Sequence, residues 1–325
     1  MFFRRYGKLL LAILFVFLVV EVVLIAPTTI QEGEKEAAPI DPTEAEGGDV
    51  DQVMRGAKLY GVGNGKQEWE LWSEQATSRK KTKTWDLNKV KALFFGKDGM
   101  QFTVTGERGE ANIDTKDMKV MGNVFVRSNN GYVFKTETVN YSSDKKILTS
   151  PDAIEMVGPK DKDGHAMSLK GRELRANLED SVMEVQKDVL AEKTFPDKKR
   201  VSIRSQRAQF SGKSKQAKFL DDVVIDFDNM RITGPVAEFQ YDSQNRMIES
   251  MYVNGGIRVS DQDKWATSQN VKVDFGSDKY TFKGSPRVVQ NNDELRGEEI
   301  VFLEGGKRVK VIGARARVDE SRMEK

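Results

Sequence analysis

Short runs of alternating apolar and polar residues recur along the chain beyond residue 55, and clusters of Asn, Gly, Asp, Lys and Ser separate them. Examples are FTVTG at 102–106, NVFVRS at 123–128 and VSIRS at 201–205. Alternation with a period of two is typical of antiparallel strands that bury one face. Only at Glu68–Lys80 does a short helix remain an alternative. The pattern therefore predicts an all-β fold.

One phrase recurs eight times along these strands. An apolar residue is followed two positions later by a small or hydroxyl residue, and three positions after that by another apolar or small residue. The eight small or hydroxyl residues follow one another at intervals of 29 to 35 positions. They are Ser73, Gly106, Thr136, Gly171, Ser205, Gly234, Ser268 and Gly297.

The step of three within the phrase predicts a bend in each strand. A strand returns to the same face at every second residue, so a step of three requires one extra residue, as in a β-bulge. A small side chain at the bend avoids a clash inside the corner. Eight such corners side by side predict a sheet creased lengthwise into a V-shaped trough with an apolar inner face.

Residue parity predicts which side chains face the inside of this trough. Phe134 and Tyr141 should face inward, whereas Lys135 and Asn140 should face outward, because parity holds on both sides of the bend. The same residues could instead fill a closed core. The predicted crease glycines are Gly106, Gly171, Gly234 and Gly297. The predicted groove residues are Phe102, Val104, Ile113, Val124, Val126, Phe134, Val139, Tyr141, Ile154, Leu169, Leu174, Ile203, Phe210, Ile232, Phe239 and Ile257.

The composition narrows the range of possible functions. The chain has 52 basic and 50 acidic residues in an interspersed pattern, which does not favour a nucleic-acid partner. It has no Cys and one His, which excludes zinc fingers, iron–sulfur clusters, disulfide scaffolds and two-His metal sites. Any enzyme would have to use carboxylates, Ser, Tyr or Lys. The 50 acidic residues are spread along turns and no pair stands out, so we predict no catalytic residues, no metal and no cofactor.

The N-terminus predicts a membrane anchor. Leu9–Ala26 is apolar apart from one Glu, and as a helix it would span about 27 Å, enough to cross a bilayer core. Basic residues precede it and glutamates follow it, which places residues 1–8 in the cytoplasm and the rest of the chain outside. A cleavable signal peptide is the alternative, although no A-x-A site ends the run. Residues 27–54 are acidic and rich in Pro and Gly, and we predict a flexible tether.

Five segments of the repeat region carry a family resemblance. The anchored N-terminus followed by GERGEANIDTKDMKVMGNVFV and TETVNYSSDKKILTSPDAIEM resembles the LptC family of lipopolysaccharide-export proteins. Residues 201–318, with SQRAQFSGKSKQAKFLDDVVI, GPVAEFQYDSQNRMIESMYVNGGIRV and VKVDFGSDKYTFKGSPRVV, look like the related LptA, or OstA-like, domain. The resemblance implies a periplasmic β-jellyroll trough that holds the acyl chains of lipopolysaccharide.

The resemblance also implies partners and a division into two units. We expect an LptC-like jellyroll at 55–192 and an LptA-like jellyroll at 193–325, with four repeats each and a boundary at Lys193–Arg200. LptC proteins typically end after one such domain. The lipid would pass from subunits of an inner-membrane lipopolysaccharide ABC transporter toward the outer membrane. An LptA-like bridge or an outer-membrane assembly protein would dock on exposed strand edges, which invite pairing.

Three alternatives remain on the residues alone. A parallel β-helix that binds or cleaves polysaccharide is also repetitive and rich in strands, although its repeats are usually shorter. A hydrolase with a pair of carboxylates is formally possible. A non-catalytic envelope scaffold would need no groove at all.

Overall fold

The structure is a computed structural model that describes residues 50–317, apart from 64, 80–81, 97–98, 161–163, 196–197, 242–247, 263, 292 and 305–306. The predicted cytoplasmic segment at 1–8, the anchor at 9–26 and residues 27–49 of the tether lie outside the described residues. Within the described part of the chain, no helix is long and apolar enough to cross a membrane.

The described chain forms one antiparallel β-sheet of 21 strands, which confirms the predicted all-β class. The strands of the first half are β1 (Val50–Gly63), β2 (Lys66–Arg79), β3 (Thr84–Phe95), β4 (Gln101–Asn112), β5 (Met118–Ser128), β6 (Val133–Ser142), β7 (Ile147–Val157), β8 (Ser168–Asn177) and β9 (Val182–Thr194). Those of the second half are β10 (Arg200–Ser205), β11 (Arg207–Ser211), β12 (Gln216–Phe227), β13 (Met230–Tyr241), β14 (Ile248–Asp261), β15 (Lys264–Asp274), β16 (Lys279–Lys283), β17 (Arg287–Gln290), β18 (Asp293–Arg296), β19 (Glu299–Leu303), β20 (Arg308–Ile312) and β21 (Arg315–Arg317).

The strands form a meander in which each strand pairs with its neighbour in sequence. β10 and β11 act as two halves of one strand, because both pair with β9 on one side and with β12 on the other. The same division of one long strand into two halves occurs three more times, in β16 with β17, in β18 with β19, and in β20 with β21. The pairings among the described strands are antiparallel, so the β-helix alternative is wrong: a parallel β-helix requires parallel neighbours.

Two local predictions are corrected by the strands near the N-terminus. The predicted tether extends to residue 54, yet β1 begins at Val50, and Met54 packs against the core. The possible helix at Glu68–Lys80 is instead strand β2, because Leu71 and Ala76 are buried between β1 and β3. Pairing on both sides overrides the local helical alternative.

A single line of irregular pairing crosses the sheet from strand to strand. The register shifts between Thr105 and Arg108 of β4 and between Ser150 and Ala153 of β7. In the second half it shifts between Thr233 and Val236 of β13. We call this line the crease. We call the half-strands on the side of Gln101–Thr105 the first arm, and those on the side of Arg108–Asn112 the second arm.

The expected boundary at Lys193–Arg200 is a tight connection between paired strands. β9 ends at Thr194 and β10 begins at Arg200, and these two residues are paired across the turn. One cluster of buried apolar side chains extends from Ala57 in β1 to Ile300 in β19 and so spans this connection. The hydrogen-bonded sheet is therefore continuous from the first half of the chain to the second.

Candidate functional site

The candidate site is the apolar interior between the two arms. β6 shows how the sequence builds it: Phe134, Thr136, Val139 and Tyr141 are buried, whereas Lys135 between them is exposed. The side chains keep the same inward direction before and after the crease because the strand gains one extra residue there.

The structure brings most of the predicted groove residues together in this interior. Val104, Val124, Val126, Phe134, Val139, Tyr141, Ile154, Leu169, Ile203, Ile232, Phe239 and Ile257 all belong to the one buried cluster. Phe102, Leu174 and Phe210 are partly buried and pack against that cluster. Ile113 does not belong to it: it lies in the turn after β4, where the strand has ended, and 56% of it is exposed.

The four predicted crease glycines share one steric feature. A Cβ atom at any of them would come within 3 Å of a side-chain atom on the next strand. At Gly171, for example, the Cβ would lie 2.5 Å from Cγ1 of Val185. The missing side chain therefore leaves the space into which a valine of the second arm packs. The glycines are Gly106, Gly171, Gly234 and Gly297, and their valine neighbours are Val120, Val185, Val253 and Val311.

The other four phrase residues are buried hydroxyls that replace hydrogen bonds lost at the crease. Oγ of Ser205 donates to the carbonyl oxygen of Arg207 at 2.8 Å, and Oγ of Ser268 donates in the same way to Asn270 at 2.8 Å. Oγ of Ser73 lies 2.6 Å from the carbonyl oxygen of Gln75 and 2.8 Å from that of Asn88, and Oγ1 of Thr136 donates to the carbonyl oxygen of Ala153 on β7 at 3.0 Å. The sequence pattern showed only that these residues are small. Their bonding role depends on the interruption of the ladder, which the pattern does not reveal.

Three of the strands between these repeats cross the crease with a left-handed residue. Lys89 of β3, Asp188 of β9 and Asp221 of β12 have φ values of 51°, 55° and 63°. A left-handed residue turns the chain without requiring a small side chain. The eightfold phrase therefore marks only alternate strands, although every long strand is creased.

Side chains from distant strands close the two arms onto each other. The ring of Phe94, on the first arm of β3, lies 4.8 Å from the ring of Tyr141, on the second arm of β6. At the rim, Lys146 and Glu68 form an ion pair in which both side chains are mostly buried. Nζ of Lys116 also donates to the carbonyl oxygen of Val62 at 3.3 Å. In each of these three contacts, the first arm of one strand meets the second arm, or the turn at its end, of a strand at least three positions later in the sheet.

This closure corrects the expectation of an open groove. Val104, Ile154 and Leu169 are at most 2% exposed, because the interior is filled by the protein's own side chains. Two surface depressions, of about 430 and 330 Å³, are lined mainly by polar and charged residues. Of the predicted groove residues, only Tyr141 lines either of them.

Burial raises the pKa of two tyrosines of the interior and so favours their uncharged form. Burial raises the pKa of Tyr141 to about 12, with a smaller contribution from the nearby carboxylate of Glu68. Burial also raises the pKa of Tyr241, which interacts electrostatically with Tyr132. Tyr132 lies before β6 and Tyr241 ends β13, so the closed interior joins residues from both halves of the chain.

The three tryptophans of the first repeat have separate positions. Trp69 and Trp85 are buried in the core cluster. Trp72 lies on the outer face, where the Nζ atoms of Lys58 and Lys91 lie 5.5 and 5.7 Å from the centre of its ring. In the described part of the chain, no group of three or more His, Cys, Asp or Glu residues could hold a metal ion.

Comparisons with known proteins give two family matches. Residues 11–193 match the family described as "Lipopolysaccharide-assembly, LptC-related". Residues 202–304 match the family of the LptA/(LptD N-terminal domain) LPS transport protein. The two matches meet at the turn between β9 and β10.

The solved structures include LptH, the LptA homologous periplasmic component of the conserved lipopolysaccharide transport device from Pseudomonas aeruginosa. It is 14% identical in sequence, and the match covers 37% of this chain and 94% of that one with a TM-score of 0.33. No curated protein sequence matches this chain.

Proposed function

The chain belongs to the LptC-related lipopolysaccharide-assembly family and carries an additional LptA-like domain, and we propose that it holds the acyl chains of lipopolysaccharide between its two arms. The lipid would pass from an inner-membrane ABC transporter toward the outer membrane. The family matches support a role in lipopolysaccharide transport. The observation that carries the finer proposal is the continuous apolar interior, which spans both matched regions.

Lipid entry requires the arms to separate. The contacts between the arms described above are made by side chains, whereas the backbone ladders run along each arm and across the crease. Opening would therefore expose apolar surface without breaking strand pairing. An acyl chain that replaces these contacts regains about 0.8 kcal/mol per buried CH₂ group. Acyl chains would thus take the place of the side-chain contacts that hold the two arms together.

Entry would begin at the rim. The ion pair between Lys146 and Glu68 joins the end of the second arm to the start of β2, and it must break when these parts move apart. A partly buried pair resists opening more than an exposed one, because its charges are less screened by solvent. This rim is therefore the proposed entry point on the LptC-like half.

The remaining assignments follow from the same proposal. Residues 55–192 and 193–325 act as two consecutive jellyroll units, and the apolar run at 9–26 holds the protein in the inner membrane with its N-terminus in the cytoplasm. The strand edges at β1 and at β20–β21 would meet the transporter subunits and a downstream bridge or outer-membrane assembly protein. The protein acts as a non-catalytic carrier. A purely structural scaffold is the competing function.

Site-specific photo-crosslinking distinguishes a carrier from a scaffold. A photoreactive amino acid is placed at Phe134 or Leu169, which face the interior, and at the adjacent outward residues Lys135 and Lys170. In cells that export lipopolysaccharide, the interior positions should form lipid adducts and the outward positions should not. Each pair occupies adjacent positions on one strand, so the two variants differ in the face that carries the probe and not in their place along the sheet.

Two results would contradict the proposal. Equal labelling at Phe134 and Lys135 would mean that the lipid does not enter the interior. Absence of adducts at both interior positions, with strong labelling at a strand edge, would favour a scaffold along which lipid passes on the outside.

A further inference from the structure

A polar depression of about 430 Å³ lies on the outer face of the second arm, within the LptC-like half. Five residues that stand directly opposite one another on neighbouring strands cross it, and we call them the polar row. Val120 and Val139, which adjoin two of these residues in sequence, are buried in the core, so the polar row points away from the interior. The polar row consists of Glu110 of β4, Lys119 of β5, Asn140 of β6, Thr149 of β7 and Arg175 of β8.

The side chains of the polar row are unused by the fold. Among the residues that the structure describes, none of the five forms a hydrogen bond or an ion pair through its side chain. By contrast, Lys218 and Glu238, which stand opposite each other at the same level further along the sheet, form an ion pair at 3.1 Å. Lys119, Asn140 and Thr149 are half-buried, so they have lost part of their water without gaining a protein partner. Unused polar groups in a concave surface indicate a polar ligand.

The charges around the depression define the class of that ligand. Lys119, Lys145 and Arg175 supply three positive charges, and Glu110 and Asp117 supply two negative ones. Lysine and arginine side chains bind phosphate and carboxylate groups through charge-assisted hydrogen bonds. The amide, hydroxyl and carboxylate groups can pair with the hydroxyl groups of a sugar. The depression therefore fits a saccharide that carries phosphate or carboxylate groups better than it fits inorganic phosphate, which needs the basic groups only.

The depression lies next to the proposed entry point for lipid. Met118 and Tyr141 line it and also belong to the buried cluster, so the same side chains border the depression and the interior. Lys145, which also lines it, directly precedes Lys146, whose ion pair with Glu68 joins the arms at the rim. A lipid that enters at this rim with its acyl chains between the arms would hold its head group beside the depression.

A second depression repeats this arrangement in the LptA-like half. Its volume is about 330 Å³, and its lining includes Lys272, Lys279 and Lys283 together with one carboxylate, that of Glu299. Lys272 stands at the same level of the outer face as the polar row, because one series of opposite residues joins them from strand to strand. Oδ1 of Asn270, which also lines this depression, is buried and has no hydrogen-bond partner in the described part of the chain.

We propose that the depression on the LptC-like half binds the phosphorylated saccharide head of the lipid whose acyl chains lie between the arms. The proposal rests on the proposed function for the identity of the lipid, and it adds a site on the outer face that is separate from the interior. The depression on the LptA-like half presents the same kind of site at the same level. A head group that leaves the first depression would therefore meet a second one further along the sheet.

Deacylated lipopolysaccharide tests the site without the acyl chains. This probe keeps the phosphorylated saccharide and lacks the part that would enter the interior. A photoreactive amino acid replaces Thr84, which lines the depression at the start of β3, or Lys91, which points outward on the first arm of the same strand. Irradiation of the full chain in detergent should give saccharide adducts at Thr84 and none at Lys91, as measured by mass spectrometry. Inorganic phosphate at the concentration of the probe should lower the yield by less than about twofold, because it uses only the basic groups.

Asn140→Asp replaces attraction by repulsion without threatening the fold. The new carboxylate would stand opposite Lys119, and opposite charges on paired strands favour folding. The same carboxylate would repel the phosphate groups of the probe, so the yield at Thr84 should fall at least tenfold while the melting temperature does not fall. The matched control carries Lys135→Gln and Lys170→Gln, which remove two charges from the outer face of the first arm. It should change the yield by less than about twofold, because salt screens exposed charges that lie further than about 10 Å from the ligand.

The proposal is overturned if Thr84 and Lys91 label equally, if Asn140→Asp labels like wild type, or if inorganic phosphate competes as well as the saccharide does. Intact lipopolysaccharide separates this outcome from failure of the proposed function. Adducts at Phe134 but not at Thr84 would overturn the outer site alone. Adducts at Thr84 but not at Phe134 would support the outer site and count against acyl chains in the interior.

Discussion

The inner angle of the crease has no room for a methyl group at Gly171, and this predicts a large effect from a very small substitution. In Gly171→Ala, the new Cβ would lie 2.5 Å from Cγ1 of Val185 and 3.1 Å from the carbonyl oxygen of Lys187. Carbon atoms in contact normally lie about 3.5 to 4.0 Å apart, so the overlap is about 1 Å. Val185 is fully buried, so it cannot relieve the overlap by turning into solvent.

Overpacking of this kind costs about 1 to 3 kcal/mol of unfolding free energy. For a folded unit of this size, that loss lowers the melting temperature by about 2 to 10 °C. Gly212→Ala is the matched control, because its nearest neighbour would be Cβ of Ser181 at an ordinary 3.6 Å. It should leave the melting temperature unchanged or raise it slightly, since alanine restricts the unfolded chain.

A double-mutant cycle tests the cause rather than the size of the effect. Val185→Ala removes the methyl groups that the new side chain would strike. In that background, Gly171→Ala should cost less than 0.5 kcal/mol, an effect within the range of ordinary surface changes. If Gly171→Ala destabilises both backgrounds equally, or melts like Gly212→Ala, then the steric explanation of the crease is wrong.

Two further predictions concern the hydroxyl groups of the interior. Ser205→Ala removes the hydroxyl group that donates to the carbonyl oxygen of Arg207, and it should lower the unfolding free energy measured in urea by about 1 to 3 kcal/mol. Ser202→Ala, on the outer face of the same strand, should change that free energy by less than about 0.5 kcal/mol. Equal effects of the two substitutions would contradict the bonding role of Ser205. Tyr141 keeps its proton in the folded state up to a pKa of about 12, but loses it near pH 10 when unfolded, so stability should fall as the pH rises above about 10. Tyr141→Phe should reduce this loss between about pH 10 and pH 12, and an unchanged loss would show that other groups cause it.

The sequence pattern predicted those features of the fold that depend on a single strand and its immediate neighbours. Strand alternation depends on which side of one strand is buried, and β6 buries the side that its own residues indicate. Gly106 and Gly234 lie where the register shifts, because a corner that excludes a side chain leaves a visible sign in the sequence. The same local view failed at Ile113, where alternation continues past the end of the strand.

Other features of the fold could not be predicted from the sequence pattern, because they depend on residues that are distant in the sequence. Lys89 and Asp188 adopt left-handed conformations at the crease, yet nothing in their type separates them from ordinary turn residues. The contact between Phe94 and Tyr141 requires the offset between the arms, which only the folded sheet defines. An open trough and a closed one therefore have the same alternation, and the sequence could not distinguish them.

The meander has a consequence for how long such a molecule can become. Because each strand pairs only with its neighbours in sequence, a hairpin inserted at any turn would leave the other pairings intact. Each added hairpin would extend the reach of the sheet by about 10 Å, the width of two strands. The length of such a sheet could thus change in steps of one repeat, by duplication alone and without a new fold.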